Sequence, residues 1–359
     1  MQAFVYHAPA TRVIFGAGSL ARLPEEVERL GAQRALVLST PGQRASAERV
    51  AALLGPRAAG IFDRAAMHVP IESAREAREM ARAMGADCAV AIGGGSTTGL
   101  GKAIALESGL PIIAVPTTYA GSEMTPIYGL TEGGMKKTGR DDRVRPRSVI
   151  YDPELTLGLP WAVTVTSAFN AIAHAAEGLY APDGNPVIAL MAEEGIRTSA
   201  AALLSLQTDP HDIDARGDAL VGAWLCGTVL GATTMGLHHK LCHALGGSFN
   251  LPHAEVHTVL LPHALAYNAP AAESVMARVG RALGMRGKSA PFAAPQAIQE
   301  FARRYGAPTS LAAIGMPADG LERAADLAVQ NQYPNPRPLD RTALRALLQR
   351  AFDGASPEA

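Results

Sequence analysis

A run of three glycines places the strongest constraint on how this chain can fold. Gly93, Gly94 and Gly95 follow the apolar run 88–92 and precede the helical run 99–106. Glycine tolerates the tight turn that joins a strand to a helix, and it lets backbone N–H groups approach another molecule closely. The order strand, glycine turn and helix is typical of the βαβ units of a parallel sheet. A parallel α/β region is therefore predicted around these glycines.

The N-terminal part of the chain repeats this alternation of short apolar runs and alanine-rich stretches. Runs that end in glycine, proline, serine or threonine predict strands at 34–39, 88–92 and 111–115. Apolar residues spaced by three and four predict helices at 45–54 and 71–84. The pattern therefore favours a Rossmann-like α/β domain with a parallel sheet.

The character of the sequence changes after Asp152-Pro153, where β-branched runs become rare. Long alanine- and leucine-rich segments predict helices at 166–179, 186–204 and 215–237. Pro160 marks a plausible boundary, because proline ends one element and can open the next helix. We predict a dinucleotide-binding α/β domain over 1–158, an all-α helical domain over 159–359, and an active site in the cleft between them.

The composition indicates a large apolar core and no strong net charge. Of 359 residues, 48% are hydrophobic and 18% are charged, and 32 basic residues nearly balance 33 acidic ones. This balance disfavours nucleic acid and membrane surfaces as partners, so a small molecule is expected. Cys88, Cys226 and Cys242 are too scattered for a disulfide framework and predict buried, reduced thiols. Neither a secretion signal nor a membrane span is expected, which favours a cytoplasmic location.

Polar loops that follow predicted strands indicate a nucleotide site. Glycines before a helix offer bare N–H groups to a pyrophosphate, and in open α/β sheets a dinucleotide lies beyond the carboxyl ends of the strands. The candidate cofactor-binding residues are Ser39, Gly94, Gly95, Ser96, Thr117, Thr118 and Thr125. By itself, the run G-G-G-S also describes an ordinary turn. Ser39-Thr40-Pro41 has no carboxylate to repel a 2′-phosphate, so NADPH is expected to be accepted beside NADH.

Histidines are concentrated in the second half of the chain. His239 and His243 are four residues apart on one predicted helix, and Asn170 and His174 have the same spacing on another. Pro252-His253 follows ten residues after His243. A lone histidine on an apolar helix is usually a hydrogen-bonded core residue, but this set favours a functional cluster.

These motifs resemble those of the iron-containing alcohol dehydrogenases. The pattern G-x-x-H-x-x-x-H-x-L-G followed by P-H is similar to their second signature, and N-A-x-x-H takes the place of their D-A-x-x-H. Further matches are Val13–Gly16, the G-G-G-S and P-T-T loops, Tyr151–Leu155 and Asn335–Arg337, so the resemblance covers nearly the whole chain. It implies a dehydroquinate synthase-like architecture and a homodimer, to which an apolar strand at residues 3–6 could contribute.

The resemblance also implies roles for single residues, and two departures modify them. The superfamily's metal ligands fall at Asn170, His174, His239 and His253, with His243 beside the nicotinamide. Asparagine replaces the usual aspartate at 170, and Gly99 replaces the aspartate that usually follows G-G-G-S-x-x. An amide is a weaker ligand than a carboxylate, so we expect no metal, although three histidines leave zinc binding open.

Both departures resemble the maleylacetate reductase branch, which reduces the carbon–carbon double bond of maleylacetate to give 3-oxoadipate in the degradation of aromatic compounds. Hydride from NADH or NADPH adds to the carbon β to the ketone, an enolate develops, and a proton reaches the α carbon. We expect Asn170, His174, His239 and His253 to bind the oxygen or a carboxylate of the dicarboxylate substrate, and His243 to donate the proton.

Other functions remain open from the sequence. A metal-dependent alcohol or polyol dehydrogenase of the same superfamily would need zinc on the three histidines. A lyase resembling dehydroquinate synthase would need NAD and zinc, and a nucleotide-binding protein without activity would leave the histidines without a role. The cations that bind the substrate carboxylates are also open, with Lys240 and the supposed loop residues Lys136, Lys137 and Arg337 as candidates.

Overall fold

The computed structural model describes residues 4–8, 10–133, 135–285, 292–330 and 332–358. The chain divides into two units. Unit 1 contains Ala3–Leu159 and His211–Leu220, and unit 2 contains Pro160–Pro210 and Val221–Ala359. The sequence analysis placed residues 211–220 in the helical domain, whereas the structure groups them with unit 1. The location of the active site in a cleft stays a prediction.

Unit 1 is built on a parallel sheet. Its strands are β1 (Arg12–Phe15), β2 (Ala35–Leu38), β3 (Ala58–Phe62), β4 (Cys88–Gly93), β5 (Ile112–Pro116), β6 (Ile127–Glu132), β7 (Met135–Arg140) and β8 (Ser148–Tyr151). Six of them pair in parallel in the order β1-β8-β5-β4-β2-β3, and β6 and β7 form an antiparallel hairpin. With a helical second unit, this confirms the predicted fold class.

Helices cover both faces of this sheet. They are α1 (Leu23–Arg29), α2 (Arg44–Leu54), α3 (Ile71–Ala83) and α4 (Gly95–Ser108). Leu36 and Leu38 of β2 pack in one core with α3 and α4, and the alternate residues Ala35 and Val37 pack in a second core with α1 and α2. Because both faces are buried, the strand is apolar at every position.

Unit 2 is helical. Its helices are α5 (Trp161–Gly178), α6 (Pro186–Thr208), most of α7 (Ile213–Ala232), α8 (Leu237–Phe249), α9 (His253–Asn268), α10 (Glu273–Ala282), α11 (Ala293–Arg304), α12 (Leu321–Gln330) and α13 (Arg341–Asp353). Leu241, Leu245, Val259 and Leu348 belong to a core shared by α8, α9, α12 and α13. Within the described ranges no single helix is long and apolar enough to cross a membrane, although α7 and α8, bent by 96°, pass that test together.

Two expectations require correction. The helix expected over 215–237 is two helices, because α7 ends at Ala232 and α8 begins at Leu237. Lys136 and Lys137 lie in strand β7 rather than in a loop. Residues 4–6 belong to no strand among the described residues of this single chain, and residue 3 lies outside them, so the suggested pairing across a homodimer stays a prediction. The three cysteines are free and buried, as predicted.

Candidate active site

The loops that follow β2, β4 and β5 lie at one edge of the sheet. These three strands are neighbours and parallel, so their carboxyl ends meet. We call residues 39–43, 93–96 and 116–125 the nucleotide loops. Two hydrogen bonds join them: Thr117 N–H donates to the Gly93 carbonyl at 3.0 Å, and the Gln43 amide donates to Thr117 Oγ1 at 2.8 Å. The chain order reverses between β2 and β4, where nucleotides bind in such sheets.

Backbone geometry explains why glycine occurs in the second nucleotide loop, residues 93–96. Gly93 has a φ of 149°, and a Cβ atom there would lie 2.5 Å from Thr97 Oγ1 and 2.6 Å from Gln43 Oε1. A Cβ on Gly94 would lie 3.1 Å from the Thr118 side chain, whereas one on Gly95 would meet Ala120 at an ordinary 3.7 Å. The turn therefore requires glycine at position 93, whereas a side chain at position 94 would require Thr118 to shift by a few tenths of an ångström. Gly95 opens α4, whose free N–H groups carry a partial positive charge.

Ser39 and Thr125 are buried more deeply than the sequence suggests. The backbone of Ser39 is held by Phe62 and Ala65, and its side chain is fully buried. Thr125 Oγ1 accepts a hydrogen bond of 2.8 Å from Lys102 Nζ. Buried Lys102 also donates to the carbonyls of residues 122 and 127 at 2.6 and 2.8 Å. Burial lowers the pKa of Lys102 to about 7. Thr125 thus helps to anchor the third loop, and Lys102 was missed by the sequence analysis.

Six histidines from three helices of unit 2 lie together and form what we call the histidine cluster. Its members are His174 on α5, His238, His239 and His243 on α8, and His253 and His257 on α9. Four are buried, whereas His243 and His253 are half-buried and stack with ring centroids 6.3 Å apart. The structure therefore brings together all the histidines predicted for the site. Asn170 lies one turn before His174 on α5 and is buried.

A glutamate that the sequence analysis missed anchors the histidine cluster. Glu177 is fully buried in the last turn of α5 and accepts hydrogen bonds from the backbone N–H groups of His238 and His239 at 2.9 and 3.2 Å. The Tyr180 hydroxyl donates to it at 3.3 Å, and His239 Nδ1 is its closest partner. Burial raises the pKa of Glu177, and the two backbone donors oppose that effect. Its position three residues after His174 is the signal that the sequence offered.

The sequence analysis also missed His257. Ligand atoms of His174, His239 and His257 all lie within 4.8 Å of one another, whereas His253, the predicted fourth position, is not part of this triad. His257 Nδ1 lies 3.0 Å from His238 Nε2. The reason is helical geometry. His257 is four residues after His253, so it lies on the same face of α9 one turn further along, and this turn is the one that faces α5. The same i, i+4 spacing could have identified it.

Three of the buried rings, those of His238, His239 and His257, are neutral at ordinary pH. Burial lowers the pKa values of His238 and His239 to about 3, and it lowers that of His257 well below the usual value. A neutral imidazole donates one hydrogen bond and accepts one. The histidine cluster can therefore form directed hydrogen bonds without bringing several positive charges together.

The candidate cations lie in different surroundings. Arg337 donates to the Tyr267 carbonyl at 3.1 Å and lies 4.3 Å from the centroid of the Tyr267 ring. Lys137 pairs with Glu132 at 3.1 Å in the β6–β7 hairpin, and Lys240 lies 5.9 Å from the Tyr333 ring. Arg337 is thus a fixed cation of unit 2, whereas Lys137 is exposed in unit 1.

Comparisons with known proteins agree over nearly the whole chain. The family described as iron-containing alcohol dehydrogenase matches residues 10–153, and its C-terminal counterpart matches residues 164–352. A maleylacetate reductase from Burkholderia cepacia is 67% identical over 99% of this chain and 100% of that protein. Crystal structures of maleylacetate reductases from Agrobacterium tumefaciens and Rhizobium sp. strain MTP-10005 are 56% and 55% identical, with TM-scores of 0.93 and 0.92, over 99% of this chain and 100% of each of theirs.

Proposed function

Since this chain belongs to the iron-containing alcohol dehydrogenase family, in the branch of the maleylacetate reductases, we propose that it reduces the carbon–carbon double bond of maleylacetate to give 3-oxoadipate. The observation that supports this most is the histidine cluster: buried, neutral imidazoles, with no carboxylate at the position where the family usually has an aspartate. Such a site offers hydrogen bonds to an oxygen that gains charge.

The nicotinamide cofactor supplies the hydride, and the chain supplies the nucleotide loops that hold it. The pyrophosphate is placed at Gly94, Gly95 and Ser96, and the hydroxyls of Thr117 and Thr118 border it. Because residues 39–41 include no carboxylate, both NADH and NADPH are accepted. Thr125 contributes by anchoring its loop through Lys102.

The reduction needs a stabilised enolate and a proton. Hydride addition to the alkene carbon β to the ketone moves charge onto the ketone oxygen, where the donors of Asn170 and the histidine cluster stabilise it. His243, half-buried on α8, then delivers the proton to the α carbon. An enolate is less basic than the alkoxide of an alcohol dehydrogenase reaction, so hydrogen bonds suffice for its stabilisation.

The donor set does not fit the iron of the family name. Non-haem iron sites commonly combine two histidines with a carboxylate. Here the nearby carboxylate, Glu177, is occupied by four donors and faces the N-terminus of α8, and position 170 carries an amide. We therefore propose a reaction without iron. His174, His239 and His257 offer three imidazoles of the kind that zinc accepts, which gives the alternative, a zinc-dependent alcohol dehydrogenase, a specific basis.

The test follows NAD(P)H oxidation at 340 nm with maleylacetate and, separately, with simple aldehydes, using protein dialysed against a chelator and assayed for metal content. We expect metal-free protein to turn over maleylacetate and to leave aldehydes unreduced. Activity lost on chelation and restored by zinc would overturn the metal-free reaction. Reduction of aldehydes alone would instead support the alcohol dehydrogenase alternative.

The buried, free thiols of the three cysteines support a reducing compartment such as the cytoplasm. The expected partner is a small dicarboxylate, with neither nucleic acid nor membrane, and the assembly is a homodimer. Sedimentation velocity of the purified protein tests the assembly, and a monomer at micromolar concentration would contradict it.

A further inference from the structure

A fully buried lysine connects helix α4 to the third nucleotide loop, residues 116–125. Lys102 lies on α4, and its ammonium group donates to the Ser122 carbonyl at 2.6 Å and to the Ile127 carbonyl at 2.8 Å. It also donates to Thr125 Oγ1 at 2.8 Å. An ammonium group has three hydrogens. Each of the three therefore has a short hydrogen bond at the end of this loop.

The three acceptors are satisfied fully only by the ammonium form of Lys102. The Thr125 hydroxyl donates its own hydrogen to the Ser122 carbonyl at 3.1 Å, so its oxygen accepts from Lys102. A neutral amine would supply two hydrogens for three acceptors. Burial lowers the pKa of Lys102 to about 7, Glu123 opposes this effect, and Arg145 adds to it. The ammonium form is therefore the main one at about pH 6.

The third nucleotide loop is also held from a second side. Arg145 donates to the Met124 carbonyl at 3.1 Å, and the Tyr151 hydroxyl on β8 donates to Glu123 at 2.8 Å. Lys102 itself is 0% exposed, so it has no surface with which to contact a bound cofactor. Any effect of Lys102 on the cofactor must therefore act through the position of the loop.

We propose that Lys102 is a positioning residue for the dinucleotide. By fixing residues 122–127 on α4, it holds Thr117 and Thr118 at a set position relative to residues 94–96, which lie at the start of the same helix. Loops that are ordered before binding lose less conformational entropy when a ligand binds, so the affinity is higher. The inference rests on the proposed function, because it assumes that these loops hold NADH or NADPH.

A lysine that contributed only to stability would give a different result, and Arg78 provides the matched control. Arg78 is another buried cation of unit 1, and its partner Glu107 lies in the last turn of α4, at the opposite end of that helix from Gly95. Arg78→Met removes this buried ion pair. It should therefore lower the stability without changing the affinity for NADH, whereas Lys102→Met should change the affinity.

The first experiment measures amide hydrogen exchange of the free protein by mass spectrometry at about pH 6. In Lys102→Met we expect peptides that cover residues 117–127 to exchange at least about tenfold faster than in the wild type. In Arg78→Met the same peptides should exchange at the wild-type rate. Unchanged exchange over 117–127 in Lys102→Met would show that Lys102 does not hold the loop and would overturn the proposal.

Fluorescence titration with NADH supplies the second readout. For Lys102→Met we expect the Kd to rise about tenfold, while kcat at saturating NADH stays within about threefold of the wild type. If the wild type binds NADH and Lys102→Met binds it equally well, the proposal is wrong and the proposed function stands. If the wild type binds neither NADH nor NADPH, the proposed function is wrong, and hydrogen exchange alone decides whether Lys102 holds the loop.

Thr125→Val tests the proposal with Lys102 still in place, in case Lys102→Met does not fold. It removes one of the three acceptors, so the Kd for NADH should rise about threefold. Thr156→Val is its control, because it removes a buried hydroxyl that donates to the Pro153 carbonyl at 2.8 Å outside the nucleotide loops. Melting curves monitored by circular dichroism establish that each variant is folded. Equal Kd values for Thr125→Val and Thr156→Val would contradict the proposal.

Discussion

The nucleotide loops of unit 1 and the histidine cluster of unit 2 are built on opposite principles. The loops rely on backbone: Gly93 at a φ of 149°, and carbonyl and N–H groups at the ends of parallel strands. The cluster relies on side chains from three helices, held by Glu177. Substitutions in the nucleotide loops should therefore act through backbone geometry, whereas substitutions in the histidine cluster should act through the chemistry of the side chains. Cofactor affinity and kcat should therefore respond separately.

The largest difference between the effect on kcat and the effect on cofactor affinity is expected for a substitution of His243. Replacing it with asparagine removes the proposed proton donor from a half-buried position without leaving a large cavity, so kcat should fall about 10²–10⁴-fold. The Kd for NADH, measured by fluorescence titration, should stay within about twofold of the wild type. His211→Asn, at an exposed position of unit 1, is the control. If the variant kept more than a third of the wild-type kcat, His243 would not be the proton donor.

Substitutions of Gly93 and Gly95 test whether the nucleotide loops depend on backbone geometry. Gly93→Ala forces a Cβ into a positive φ and against Thr97 and Gln43, which should cost about 1–3 kcal/mol of unfolding free energy in urea titrations. Gly95→Ala meets only an ordinary contact at 3.7 Å, so its stability should be unchanged. Its NADH affinity should nevertheless fall, because the methyl group narrows the approach to the α4 amides. If its affinity equalled that of the wild type, the loop would be an ordinary turn.

His263 provides a contrast to the histidine cluster, because it is a buried histidine of α9 that lies outside the cluster. Burial lowers its pKa to about 4, and neither ring nitrogen has a hydrogen-bond partner within the described part of the chain. In the unfolded chain His263 binds a proton below its usual pKa of about 6.5, whereas in the folded chain it stays neutral down to a pH of about 4. The free energy of unfolding therefore falls as the pH falls between these two values. The difference in unfolding free energy between His263→Leu and the wild type should shift by about 2 kcal/mol in favour of the variant when the pH is lowered from 8 to 5. Parallel urea curves at both pH values that show a constant difference would contradict this.

The smallest effect is expected at Thr40, which follows Ser39 at the end of β2. Thr40→Asp places a carboxylate beside the expected ribose, so kcat/KM for NADPH should fall about tenfold more than that for NADH. Thr40→Asn is the uncharged control. Equal losses with both cofactors would show that the 2′-phosphate does not reach this loop.

The sequence predicted local features well. The strand at 88–92 is observed as Cys88–Gly93, and the helix at 71–84 as Ile71–Ala83, because periodicity and glycine turns act over a few residues. The i, i+4 histidine pairs were recognised for the same reason. The boundary between two apolar helices was harder to predict. The break between α7 and α8 was missed, because it consists of only residues 233–236 within a long apolar region.

The sequence alone identified three strands of the parallel sheet and several of the helices, and it showed that histidines recur at helical spacing in unit 2. The contacts between residues of different helices became known only from the folded structure. Glu177 meets the N-terminus of α8, some 60 residues later in the chain, and His257 rather than His253 joins His174 and His239. Such contacts depend on how helices pack, and helical spacing specifies the face on which a side chain lies but not the helix that it will meet.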